Sequence, residues 1–211
     1  REGKVVPDSD SVTLGNDAVK IDGTVLYADL ADSTEMVKTK KATFAAEVYK
    51  TYLDTACRVI RKNDGVITAF DGDRVMAVFI GKLKNTNAVR SALNINWAMQ
   101  IIREEQKKKW SGDYILRQAV GIDTSSLFVA KTGIRGSNDL VWVGRAANYA
   151  AKLRSLRSGN YSSWITKAVY DMMLNEVKFA QKNGLKTNMW EERHWKPENE
   201  TVYRSSWKWC V

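Results

Sequence analysis

Residues 65–81, GVITAFDGDRVMAVFIG, are two apolar runs joined at Asp71-Gly72. Both runs carry β-branched and aromatic residues, and Asp-Gly suits a tight chain reversal, so the stretch is expected to form a β-hairpin. The chain is thereby committed to an antiparallel sheet. A second apolar run, VLYADLADST at 25–34, reads as another strand, but Asp29 interrupts it. An ionised carboxylate taken out of water is costly unless something pairs with it. Asp29 therefore either marks the wet end of a strand and caps the next helix, or it holds a cation. Asp73 has the same two readings: solvated beside the hairpin turn, or facing Asp29 from an adjacent central strand.

Two carboxylates brought together repel, and a divalent cation removes the conflict. Mg²⁺ and Mn²⁺ take oxygen ligands, usually one or two carboxylates plus substrate phosphates. Beside Asp29, the turn ADST leads into a helix and offers free backbone N–H groups to an anion. Metal-holding acids next to such a turn suggest a nucleoside triphosphate.

The remaining chain supplies one domain around these features. Strands are expected at 23–30, 116–123, 126–132 and 162–166. Helices are expected from ADSTEM to about residue 63, and at 85–109, 143–156 and 167–183. A strand hairpin closes the chain. This is an α+β domain with a mostly antiparallel sheet and helices packed largely on one side. With 13 Gly, 2 Pro and no low-complexity tract among 211 residues, no interdomain linker is expected. Residues 1–22 read as an irregular lead-in and 23–211 as the single functional domain.

Composition excludes several classes. No apolar run approaches the roughly 18 residues that span a bilayer, and no secretory leader is read. Cys57 and Cys210 stand at no metal-ligand spacing, which fits a reducing cytoplasm. The lone His194 rules out a His-rich metal site. The net charge of +9 favours polyanionic partners. Its basic residues are dispersed, however, and no nucleic-acid-binding motif is present. Neither nucleic acid nor membrane is expected as a partner.

The pattern as a whole resembles the class III nucleotidyl cyclases. VLYADLADST, FDGDRVMAVF, VGIDTSSLFVAKTG and VGRAANYAAKL match that family's motifs in order, from about residue 24 to 154. The resemblance implies a palm-like cyclase domain with two Mn²⁺ or Mg²⁺ ions per site. Asp29 and Asp73 become metal ligands, assisted by the Leu30 carbonyl. Ala31, Asp32, Ser33 and Thr34 line the triphosphate. Asn148 orients the ribose, and Lys152 stands where most relatives carry Arg, keeping the charge without the bidentate fork. Arg193 and Lys196 of the C-terminal hairpin are candidates to grip the phosphates. Each family site is shared between subunits, which implies a homodimer with two sites.

Departures from the family bear on the base. Ala69 and Val141 replace the polar groups with which adenylate cyclases read a purine, and GIDTS at 121–125 replaces a GIHxG segment. Unsatisfied polar edges make purines poor substrates. The combination is most similar to the bacterial pyrimidine cyclases of the Pycsar anti-phage systems, which signal with cyclic UMP or cyclic CMP to an effector encoded nearby. Trp142 and Arg145 resemble the uridylate-producing members, so UTP is expected, with CTP the alternative. Phe70 and Trp142 are candidate walls of the base pocket. Arg145, Tyr49 and Tyr52 are candidates to read the pyrimidine edge. A catalytically degenerate nucleotide sensor is the rival reading.

Overall fold

The structure, a computed structural model, describes residues 1–109, 115–134, 136–156 and 159–211. Its elements are β1 (Ala18–Ala31), α1 (Ser33–Thr39), α2 (Ala42–Lys62), β2 (Val66–Asp71), β3 (Arg74–Phe79), α3 (Lys84–Lys109), β4 (Arg117–Ile134), β5 (Ser137–Val143) and α4 (Arg145–Leu153). There follow β6 (Ser163–Thr166), α5 (Lys167–Met172), α6 (Asn175–Lys178), β7 (Phe179–Lys182), β8 (Leu185–Asn188), β9 (Glu191–Trp195), a 3-10 turn (Lys196–Glu198) and β10 (Glu200–Ser205). No described helix is long and apolar enough to cross a membrane.

The main sheet has the strand order β2-β3-β1-β4-β6-β10-β9, with β5 paired to β4. Only the β4–β6 pairing is parallel; the other ladders run antiparallel. Alternation along the strands sorts side chains between two faces. Leu26, Ala28 and Leu30 of β1 join Val75, Ala77, Phe79, Val120 and Ile122 against α2, α3, α5 and α6. On the other face, Val19, Ile21, Val25, Met76, Val78, Leu127 and Val129 pack with α4 and with Val12 of the N-terminal segment. The expected arrangement, with helices mostly on one side, is the one observed.

α4 reaches the sheet closely because its inner positions are Ala146, Ala147 and Ala150 and because β4 carries Gly121. A Cβ at Gly121 would lie 2.1 Å from the Ala150 carbonyl oxygen and 2.6 Å from the Arg154 nitrogen. Any side chain there would lift α4 off the sheet.

Five features differ from expectation. β1 starts at Ala18, inside the supposed lead-in, because the long β4 offers partners back to Ala130. The two strands expected at 116–123 and 126–132 are one, since the polar residues between them continue the ladder: Thr124 pairs with Thr24 and Ser126 with Asp22. Its partner β5 was not expected as a strand. The helix expected up to residue 63 is broken at Lys40, whose φ of −116° and ψ of 161° are extended. The helix expected at 167–183 gives way to α5, α6 and the β7–β8 hairpin.

Candidate active site

The β2–β3 hairpin turns at Gly72, whose φ of +61° favours glycine. That turn sets Asp73 immediately before Arg74, and Arg74 pairs with Asp29 across β1 and β3. The two acids thus stand at neighbouring strand ends, where the sequence placed them. Both are nearly buried, Asp29 4% and Asp73 9% exposed. An Asp29 oxygen accepts from Arg154 Nη1, and Arg74 Nε lies 4.0 Å from the other oxygen. One Asp73 carboxylate oxygen, Oδ2, is buried without a hydrogen-bond partner. An orphaned acceptor beside a second carboxylate is a donor set suited to a hard divalent cation. Among the described residues no three His, Cys, Asp or Glu side chains gather to bind a metal. The pair therefore fits an ion completed by backbone carbonyls and substrate phosphates.

Tyr52 lies in α2 close enough to both acids for their charges to act on it. Burial first, then Asp29 and Asp73, push its hydroxyl well above the usual tyrosine value, so it stays protonated. Its side chain is fully buried. Tyr52 belongs to the core beneath α2. Tyr49 is half-buried against the same core.

Ala31 is buried at the end of β1, and Asp32 adopts a left-handed conformation, φ 61°, that starts α1. Met36 N–H donates to the Asp32 carbonyl at 3.1 Å. The earlier amides, at Ser33 and Thr34, belong to the first turn, where no intrahelical acceptor exists.

Asn148 and Lys152 occupy the outer, exposed face of α4. Lys152 Nζ donates to Glu198 at 2.5 Å, and Tyr149 Oη donates to the same carboxylate at 3.1 Å. This pairing raises the Lys152 value and lowers that of Glu198. Glu198 sits in the 3-10 turn that also holds Lys196, so the C-terminal hairpin and the outer face of α4 form one group. Arg193 lies on β9, four strands from β1, and bonds Glu191 and the Glu192 carbonyl. At about 4.8 Å per strand, it is roughly 19 Å from the acids of its own chain. Within one chain, then, the structure does not bring Arg193 to Asp29 and Asp73.

The base-pocket residues divide in the same way. Ala69 of β2 lines a cavity of about 110 Å³ with Tyr27, Asp71, Arg74, Met76, Ala151 and Arg154. Phe70 beside it is 60% exposed. Val141 and Trp142 lie on β5, beyond β3, β1 and β4, and Val141 is exposed. Arg145 has a structural partner that sequence reasoning did not foresee. Its Nε and Nη2 bond both oxygens of the fully buried Asp123 at 3.1 and 3.2 Å. Asp123 also accepts from Thr166 Oγ1 at 2.5 Å. Burial raises the Asp123 value despite these partners. Arg145 thus anchors the start of α4.

Sequence reasoning missed Arg154, Arg74 and Asp123. Arg154 is the first cation beyond Lys152, at the end of an Ala-rich helix, but its partner is set by tertiary packing.

No protein-family model matches the chain. In fold it is similar to the adenylyl cyclase CyaB from P. aeruginosa, with a TM-score of 0.76 at 20% identity, covering 89% of this chain and 95% of that one. A bacterial light-regulated adenylyl cyclase gives a TM-score of 0.74 at 20% identity, over 91% of this chain and 53% of that one. Sheet and helices together give the chain the fold of the class III nucleotidyl cyclases. In sequence the chain is 56% identical to a uridylate cyclase from Xanthomonas perforans, over all of this chain and 90% of that protein. It is 50% identical to one from Burkholderia cepacia, over all of this chain and 91% of that protein. The chain belongs to the uridylate cyclase family.

Proposed function

We propose that the chain converts UTP to 3′,5′-cyclic UMP and pyrophosphate, as a homodimer whose two sites each draw on both subunits. The observation that carries this reading is the division of the site. Asp29, Asp73 and the Asp32–Thr34 turn form one half; Asn148, Lys152 and the Lys196 turn form the other, on the outer face of α4. Two copies meeting across these surfaces would complete two sites. The uridylate cyclases of similar sequence support the choice of base.

The residues have separable tasks. Asp29 and Asp73, with the Leu30 carbonyl, would hold Mn²⁺ or Mg²⁺. Bound there, two such ions favour ionisation of the ribose 3′-hydroxyl and neutralise the triphosphate. The α1 amides after Asp32 would receive phosphate oxygens. Asn148 would fix the ribose, and Lys152 would offset charge developing at the α-phosphate. Lys152 must leave Glu198 to do so. Ala69 and Val141 offer no polar partner to a purine edge, whereas Phe70 and Trp142 supply bulk beside the base. Pyrimidine choice then rests on exclusion as much as attraction. The product would act as a messenger in cytoplasmic anti-phage signalling, a role supported by the likeness to the Pycsar cyclases.

The direct test is incubation of the protein with UTP and Mn²⁺, with products identified by mass. Cyclic UMP and pyrophosphate support the reading. No cyclic product from any ribonucleoside triphosphate would instead assign the chain to nucleotide sensing.

A further inference from the structure

Gly121, Asp123 and Ser125 alternate along β4 within GIDTS, so all three face the same way, toward α4. Gly121 lets the end of α4 approach the sheet. Asp123 and Ser125 hold its start. Arg145 Nε and Nη2 donate to the two Asp123 oxygens at 3.1 and 3.2 Å, and Nη2 also donates to the Thr124 carbonyl at 3.2 Å. The Ala146 N–H donates to Ser125 Oγ at 3.0 Å, which replaces the side-chain cap that Gly144 cannot provide. Asp123 is itself tied to β6 through Thr166 Oγ1. On the outer side, the Glu200 carboxylate lies 4.0 Å from Arg145 Nη1.

Stability alone does not call for this arrangement. Well-packed apolar residues often replace a buried ion pair without loss. What the pair adds is direction, because a bidentate fork fixes both the distance and the rotation of the helix that carries it. The inner side chains of α4, Ala146, Ala147 and Ala150, are small and form shallow ridges that lock a helix poorly. A turn of about 20° around the helix axis moves a side-chain tip, about 5–6 Å from that axis, by roughly 2 Å. Misplacement of about 1 Å at a reacting group costs on the order of a hundredfold in rate.

We propose that Asp123 and Arg145 are positioning residues that set the rotation of α4 and so aim Asn148 and Lys152, on the reading of those two as the ribose and α-phosphate half of the site. Asn148 stands about one turn after Arg145, and Lys152 one turn further, both on the exposed face. Neither touches Asp123. The pair acts on them through the helix, from a carboxylate that is itself 0% exposed.

Arg145→Gln removes the fork at a side chain that is 40% exposed, so the variant should fold, which a thermal melt checks. Hydrogen exchange should quicken roughly tenfold or more in the amides of α4 and stay unchanged in α2. With UTP and Mn²⁺, kcat should fall roughly tenfold to a hundredfold. KM should be nearly unchanged, because the acid half that receives the triphosphate is untouched. Arg145→Lys keeps the charge without the fork and should lose kcat as well. Unchanged exchange in α4, equally faster exchange in α2, or a raised KM at constant kcat overturns the inference. Turnover by the unaltered protein with the same kcat in Arg145→Gln also overturns it, and leaves the proposed function standing. No turnover by the unaltered protein overturns the proposed function, and the inference with it.

Discussion

The guanidinium of Arg154, one residue beyond α4, holds the carboxylate of Asp29 at the end of β1. Their side chains are 14% and 5% exposed, so this is a buried pair. Removing one partner of such a pair costs about 3–5 kcal/mol, because a charge is left unpaired. Arg74, with its Nε 4.0 Å from the other Asp29 oxygen, softens the loss. Arg154→Met should therefore lower metal-free stability by about 2–3 kcal/mol. Mn²⁺ should raise the melting temperature more in this variant than in the unaltered protein, since a cation replaces the missing charge. Equal metal-induced shifts would mean that Asp29 holds no metal.

Asp73 has the opposite balance. Its buried Oδ2 lacks a partner, so removing the carboxylate relieves an unmet group worth about 1–3 kcal/mol. Asp73→Ala should match or exceed the unaltered protein in stability when measured in EDTA, and should lose turnover. Denaturant melts and product assays check both halves. A destabilised variant would give Asp73 a structural role instead.

These two acids were legible in the sequence because each lies in a short, strongly patterned element. An apolar strand with one carboxylate, and a hairpin marked by Asp71-Gly72, need no distant information. Arg154 was not legible: its contact crosses 125 residues and depends on how closely α4 approaches Gly121. The β7–β8 hairpin was missed although its signal was present. Asn183-Gly184 has positive φ at both residues, 52° and 76°, which suits a tight primed turn. Helical spacing before it outweighed that dipeptide in the reading. The continuity of β4 was hidden by Thr124, Ser125 and Ser126, which look like a turn. Two of them turn inward instead: Thr124 Oγ1 bonds the Gly23 carbonyl at 3.3 Å, and the Ser125 hydroxyl accepts from Ala146 N–H at 3.0 Å.

Lys152 is occupied by Glu198, and the proposed role requires its release. Exposed pairs are worth at most about 1 kcal/mol, which bounds the effect. Glu198→Gln should lower KM for UTP, or raise kcat, by no more than about fivefold. Steady-state kinetics decide it. A fall in kcat/KM would show that Glu198 aids the reaction rather than restraining Lys152.

The divided site makes complementation a matter of counting. Asp29→Ala and Asn148→Ala should each be inactive. In a mixed dimer, one site carries both lesions and the other neither. Random mixing gives about half heterodimers, so roughly a quarter of all sites would be intact. Co-expression should restore that share of activity. No rescue in verified heterodimers would mean that each chain builds a complete site.

The most direct measurement is a competition assay with UTP, CTP, ATP and GTP at equal concentration and Mn²⁺ present, with cyclic products separated by mass. The lost purine partners at Ala69 and Val141 predict cyclic UMP as the main product, with purine products lower by roughly tenfold or more per unmatched polar group. Predominant cyclic AMP or cyclic GMP would contradict the account.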